Sequence, residues 1–196
     1  AMRISANALI QFAARYAALA RDLAAQETNP QRQEELDRIA VVCEWVPAHA
    51  PRDLWESLQY YWFVHLGVTT ELNTWDSFCP GHLDHHLFPF YRMGLDTGVL
   101  TREFARELLQ CFWIKFNNQP APPKVGVTAA ESGTYTDFCN INTGGLRPDG
   151  SDGVNELTYL VLDVIDEMRL LQPSSNMQVS KRSPDRFLTR GCEIIR

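Results

Sequence analysis

Apolar residues recur along the opening stretch at spacings of three and four: Ile4, Ala8, Phe12, Tyr16, Leu19 and Leu23. That spacing predicts an amphipathic α-helix with this stripe turned inward. No capping residue precedes it, so the chain is expected to begin inside a helix. Asn29-Pro30 then predicts a fresh start, with Asn as N-cap and Pro at the first helical position. Leu36, Ile39, Cys43 and Val46 carry this second helix to Pro47. A third helix is expected from about Arg52 to Leu66, closed by Gly67, with Leu54, Leu58, Trp62 and His65 on its inward face.

The pattern then changes. Val68-Thr-Thr-Glu-Leu72 is β-prone and short, and predicts a strand that runs into the loop Asn73 to Asp84. Pro80-Gly81 is expected to start a fourth helix through Leu83, Leu87 and Phe90, which Pro89 bends or ends. Asp96-Thr-Gly98 turns the chain. Thr101 can cap a helix that turns Phe104, Leu108, Phe112 and Phe116 inward, and Asn117 to Lys124 reads as an extended crossing. Thr136 to Thr143 alternates as a strand up to Gly144-Gly145. Ser151-Asp152 precede a helix through Leu157, Val161, Ile165 and Met168. Met177 to Ser180 predicts another strand, and Ser183-Pro184 open a last helix that still runs at Ile194-Ile195-Arg196. Strand, helix, strand, helix is the signature of a parallel βαβ unit, so the fold class is α/β with a helix-rich first half.

Composition narrows the function classes. Of 196 residues, 45% are hydrophobic and 21% charged, with a net charge of −6. This excludes a disordered chain and argues against a nucleic-acid surface. No apolar run is long enough for a membrane span, and the first residues lack a signal-peptide layout. Five scattered cysteines, none in a CxxC pair, suit buried thiols in a reducing cytoplasm.

Chemistry-bearing residues concentrate in two loops. The first carries Trp75, Asp76, Ser77 and Cys79; the second surrounds Phe138. Asp76 and Ser77 can anchor a substrate or cap the following helix, and no GxSxG elbow supports a serine nucleophile. His82, Asp84, His85 and His86 cluster, and His82 and His86 share the i, i+4 spacing of a zinc pair. No Glu follows His82 and no third ligand is evident, so a structural role is expected and no metal. Cys79 and Cys139 sit among apolar neighbours, as inert thiols do. Gly144-Gly145 lacks the spacing of a phosphate loop.

Several segments taken in order resemble one family. Trp55-Glu-Ser-Leu-Gln59-Tyr-Tyr-Trp62-Phe63-Val-His65 resembles the WxxxQxxWFxH helix of glycyl radical enzymes related to pyruvate formate-lyase. Cys79-Pro80-Gly81-His82-Leu83-Asp84 resembles the family's Ser-Pro-Gly-Arg-x-Asp element. Leu100-Thr-Arg-Glu103 with Trp113-Ile-Lys115, Asn140-Ile-Asn-Thr-Gly144-Gly145 and Asn155-Glu156-Leu-Thr158 continue the match in family order.

The resemblance implies a helix-rich fragment of a ten-stranded α/β barrel. The chain would form one partial domain, 1–196, helical to about residue 66 and α/β from about residue 67. It implies a parent that carries a glycyl radical, installed by an S-adenosylmethionine radical activase, and that is a cytoplasmic homodimer. The radical loop Arg-Val-x-Gly-Tyr and the Cys-x-Glu element are absent here: two positions beyond the five cysteines stand Trp45, Gly81, Trp113, Ile141 and Ile194. The chain is therefore expected to bind no cofactor, supply no catalytic residue and be inactive alone. Its partners would be a small-molecule substrate, the activase and the remainder of the barrel. Ser77 aligns with a substrate-contacting serine and Phe138 with an aromatic of the same pocket, with Asp76 adjacent. Cys79 and His82 depart from the family's Ser and Arg, which puts a charge-fixing contact of that Arg in doubt.

Thr74-Trp-Asp-Ser-Phe78, Tyr135-Thr-Asp-Phe138 and Leu171-Gln-Pro-Ser-Ser-Asn176 are most similar to isethionate sulfite-lyase and to the arylacetate decarboxylases. The first is the favoured branch, with a formate acetyltransferase as a further alternative. A different class of function, a non-catalytic helical scaffold, would call for a folded monomer without a large exposed apolar face.

Overall fold

Alanine, not the bulkier residues, forms the buried stripe of the first helix. In the computed structural model, which describes residues 1–71, 79–118 and 139–196, α1 spans Met2–Gln26 and buries Ala13, Ala17, Ala20 and Ala24. Ile4, Tyr16, Leu19 and Leu23, expected inward, stand at 74%, 49%, 50% and 46% exposure. The reason is distance. Small side chains let a neighbouring helix approach closely, and α2 (Pro30–Trp45) packs there.

α1 and α2 belong to the first of two compact units, residues 1–67; the second is 68–196. The α2 start is as the sequence predicts, with Asn29 Oδ1 accepting the N–H groups of Gln31 and Arg32 and Pro30 following it. Arg21 on α1 reaches both Asp37 (2.8 Å) and Glu44 (3.1 Å) on α2. The core here joins Ala13, Ala17, Val42, Cys43, Val46 and Phe63.

α3 covers Leu54–Glu71 and runs straight through Gly67. The helix end at Gly67 and the strand from Val68 are thus corrected, since residues 68–71 are helical. Strand preference is weak and context-dependent, and helix propagation overrides it here. The glycine serves packing instead: a Cβ on Gly67 would stand 3.1 Å from the Leu9 side chain.

The second unit holds β1 (Gly81–His82), α4 (Leu83–Asp96), α5 (Arg102–Asn118), β2 (Asn140–Gly144), α6 (Glu156–Met168), β3 (Ser174–Gln178) and α7 (Asp185–Ile195). The strands lie in the order β1-β2-β3, all parallel, with Gly81 opposite Ile141 and Asn140 opposite Ser174. The predicted βαβ unit is β2-α6-β3. On one sheet face Ile141 is buried where α4 and α6 pack on β2, with Leu83, Leu87, Leu157 and Val161 buried on those helices, and α5 packs in turn on α6.

Boundaries moved where tertiary packing outweighed local signals. Gly81 and His82 pair with β2, so α4 starts at Leu83, and it continues past exposed Pro89 because Leu87 and Tyr91 on either side are buried. Thr101 does cap α5, its Oγ1 accepting the Phe104 N–H at 3.1 Å, but Phe104 itself is on the exposed side. The α6 cap is Asn155, not Ser151-Asp152, in a capping box with Thr158. β3 begins at Ser174, three residues before the expected Met177. The crossing segment beyond Asn118 and the strand start at Thr136 lie outside the described residues.

Gly144 ends β2 at φ +73°, and a Cβ there would meet the buried Phe187 ring at 2.6 Å. Gly144→Ala therefore combines a left-handed backbone with a collision against a ring that cannot retreat. It is expected to cost about 2 kcal/mol or more, read as a lower urea midpoint with an unchanged slope.

Candidate functional site

The three strands present two very different faces and a polar junction at their tips. Along β2, Ile141 and Thr143 are buried against the helices, whereas Asn140 and Asn142 point the other way. Register puts Ser174, Asn176 and Gln178 beside Asn140, Asn142 and Gly144. The Asn176 side-chain amide donates to Asn140 Oδ1 (3.3 Å) and Asn142 Oδ1 (3.5 Å), giving a row of neutral amides on the open face. Parallel sheets are ordinarily apolar on both sides, so a polar row marks a face that meets something polar. Sequence reasoning missed this row. Its signal was the period-two recurrence of Asn140, Asn142 and then Ser174, Asn176, Gln178.

Next to this row the two candidate loops re-enter the structure. Cys79 Sγ accepts the Asn140 N–H at 3.2 Å, which brings the end of the first loop against the start of β2. Asp76, Ser77 and Phe138, the residues expected to touch substrate, lie outside the described residues, as does Trp75. Cys79 is exposed and Cys139 buried, and none of the five cysteines is in a disulfide. Burial pushes the Cys43 thiol up to about 11 and raises that of Cys111 as well. Neither behaves as an activated nucleophile.

The junction at the strand tips centres on Asp84, which is fully buried. Its Oδ2 accepts the Gly144 N–H (2.9 Å) and the Thr158 hydroxyl (2.6 Å), and its Oδ1 accepts the His85 N–H (3.0 Å). Thr158 Oγ1 in turn accepts the Asn155 N–H (3.0 Å), and Asn155 Nδ2 donates to the Asp84 carbonyl (3.4 Å). Three segments, α4, β2 and α6, are tied by one carboxylate. His82 Nδ1 lies 3.2 Å from the Gly144 carbonyl, and its ring stacks on His85 at 4.8 Å. His86, which shares the i, i+4 spacing with His82, is exposed and stands apart from the cluster, whose donors are His82, Asp84 and His85.

On the helical side, a cleft of about 680 Å³ is lined by Tyr91, Arg102, Tyr159, Asp163, Arg186 and Arg190 among others. Its arginines are largely neutralised: Arg102 and Arg190 both bind Asp163, and Arg190 also binds Asp166. These pairs fasten α5 and α7 to α6 and leave little charge for a ligand.

The polar strand face, the entry of both loops beside it and the capped strand tips describe one wall of a barrel. The family model for pyruvate formate lyase-like proteins matches residues 1–196. The chain belongs to this family. It is 58% identical over 196 residues to trans-4-hydroxy-L-proline dehydratase of Clostridioides difficile, covering all of this chain and 25% of that protein. It is 36% identical over 199 residues to isethionate sulfite-lyase of Oleidesulfovibrio alaskensis, again over the whole chain and 24% of the relative. The solved hydroxyproline dehydratase from Clostridioides difficile with trans-4-hydroxy-L-proline bound superposes with a TM-score of 0.89, over 96% of this chain and 24% of that one. A glycyl radical enzyme from Archaeoglobus fulgidus, 35% identical, gives 0.84 over 96% and 24%. The chain thus spans about a quarter of the length of the relatives it matches. It is a helix-rich piece of the glycyl radical enzyme barrel with a small parallel sheet. Among the described residues, no helix is long and apolar enough to cross a membrane.

Two outcomes follow from this geometry. Thr158→Val keeps the side-chain shape but leaves the Asn155 N–H unpaired and takes a donor from Asp84. It should destabilise by roughly 2–3 kcal/mol in urea denaturation, whereas Thr158→Ser should cost clearly less. Because the Cys43 thiol is raised, its reactivity appears only as pH climbs toward that value. Iodoacetamide at about pH 8 should modify exposed Cys192 well before Cys43, as read by peptide mass spectrometry.

Proposed function

We propose that this chain forms one wall of the substrate pocket in a glycyl radical dehydratase, and that the whole enzyme removes water from trans-4-hydroxy-L-proline. The observation that carries this is the 58% identity along the full chain to trans-4-hydroxy-L-proline dehydratase, against 36% to isethionate sulfite-lyase over the same span. C–O cleavage is therefore preferred to the C–S cleavage that the loop motifs favour on their own, and to decarboxylation.

The chemistry of the wall supports the choice. A hydroxyproline carries a ring ammonium, a carboxylate and a hydroxyl. Asp76 would pair with the ammonium, Ser77 would hydrogen-bond a polar group, and Phe138 would cover the ring. A sulfonate would instead want cations, and the residues of β1, β2 and β3 include no Lys or Arg. Neutral amides such as Asn140, Asn142 and Asn176 suit a compact zwitterion, because they orient it without a net charge of their own.

The glycyl radical, installed by an S-adenosylmethionine radical activase, supplies hydrogen-atom abstraction from the carbon beside the C–OH. This chain's own task is to bind, orient and exclude water, since its cysteines lack the Cys-x-Glu context. The parent is proposed to work as a cytoplasmic homodimer.

The test is the intact parent, activated anaerobically, with the radical counted by electron paramagnetic resonance. Turnover of trans-4-hydroxy-L-proline without sulfite release from isethionate is expected; the reverse would assign C–S cleavage. Asp76→Asn should raise KM by about ten- to a hundredfold, the loss of one charge-assisted hydrogen bond, and Ser77→Ala by a few-fold. Both should leave the radical signal intact, and its loss would remove these residues from a purely binding role.

A further inference from the structure

Asp84 is fully buried, yet the groups that hold it are neutral dipoles: two backbone N–H groups and one hydroxyl. Buried carboxylates are ordinarily paired with a cation or bound to a metal. Among the described residues, the one basic side chain within ion-pair range is His85, its Nε2 at 4.0 Å from Asp84 Oδ1. The resemblance places an arginine in the family where this chain has His82.

The two histidines are arranged as ligands. His85 Nε2 is shut off from solvent and has no hydrogen-bond partner. His82 Nδ1 faces the Gly144 carbonyl at 3.2 Å, a bond that fixes the proton on Nδ1 and leaves Nε2 as a lone-pair donor. A nitrogen from each imidazole and a carboxylate oxygen of Asp84 lie within 4.8 Å of one another. Asp84 Oδ2 already accepts two hydrogen bonds, whereas Oδ1 accepts one and keeps a lone pair. Glycine backbone packs closely against both rings at this corner. A Cβ on Gly153 would fall 2.5 Å from His85 Nε2, and one on Gly145 would fall 3.1 Å from His82 Cε1.

We propose that His82, Asp84 and His85 bind one borderline divalent cation, of the Zn²⁺ or Fe²⁺ type, that pins the end of β1 to the first turn of α4. Two imidazoles and a carboxylate match that class of ion. Ligands bonded at about 2.0–2.2 Å in a tetrahedral site stand somewhat closer together than the 4.0 Å between His85 Nε2 and Asp84 Oδ1, so binding draws the pair inward by a few tenths of an ångström. The site is structural, and it is independent of the substrate reading above.

The full 196-residue chain, freed of metal by chelation and kept anaerobic, would be titrated with Co²⁺ and Zn²⁺. One equivalent should bind, with visible Co²⁺ d–d bands, without thiolate charge-transfer bands, and unchanged in Cys79→Ser and Cys192→Ser. Zn²⁺ should shift the imidazole NMR signals of His82 and His85 but not of exposed His86. His85→Gln should weaken binding by at least about tenfold while His86→Ala does not. Absence of a stoichiometric ion, thiolate bands, or wild-type affinity in His85→Gln would each overturn the proposal. If His85→Gln loses its native circular dichroism, the Zn²⁺-induced shifts in the unmodified chain decide the matter: movement of both histidines sustains the site, and no movement removes it.

Discussion

The carboxylate of Asp84 is the fixed point of the α/β unit. Through it the first turn of α4, the end of β2 and the capping box of α6 share one hydrogen-bond network. Each member is satisfied by another. Thr158 gives its proton to Asp84 and takes one from Asn155, which itself caps α6 and holds the Asp84 carbonyl. Fully satisfied buried networks of this kind rigidify, and partly satisfied ones are costly, so the members stand or fall together. The close approach of Phe187 to Gly144 brings α7 to the same corner.

That corner has a consequence at the other end of the strands. β2 is only Asn140–Gly144, so anything that clamps Gly144 also sets where Asn140 and the Cys79 contact stand. A binding wall works only when its groups are held to a fraction of an ångström. In this unit the apolar face supplies adhesion, the strand-tip network supplies register, and the amide row is what remains to meet a ligand. Structural and functional roles are thus divided between the two faces of one short sheet.

Much of the scaffold was legible because its signals are local. Asn29-Pro30, Thr101 and the β2-α6-β3 alternation each depend on residues within a turn or two, and each is found. Errors came where a distant partner decides. Gly67 looks like a stop signal, but its role is set by Leu9. Val68 to Glu71 is strand-like in isolation and helical in place. The bulky stripe of α1 outscored its alanines in hydrophobicity, while packing selected the alanines for their size. Asp84 was read as part of a histidine cluster, and its structural partners were not legible because Gly144 and Thr158 lie 60 and 74 positions away. Asp76, Ser77 and Phe138 stood out as possible site residues, but only the resemblance chose between substrate contact and a cap or core role, because no local pattern distinguishes them.

The same division of labour fits the proposal that a quarter of a barrel contributes to substrate choice. Radical abstraction asks of its surroundings mainly that the right C–H bond be presented and water kept out, which on the proposed reading would be work for hydroxyls, amides and a carboxylate. Such groups differ between a zwitterionic amino acid and a sulfonate far more than the radical chemistry does. On the reading proposed above, uncharged amides on β2 and β3 together with the acid Asp76 would suit an ammonium and disfavour a second anion, so that the charge pattern would select the substrate.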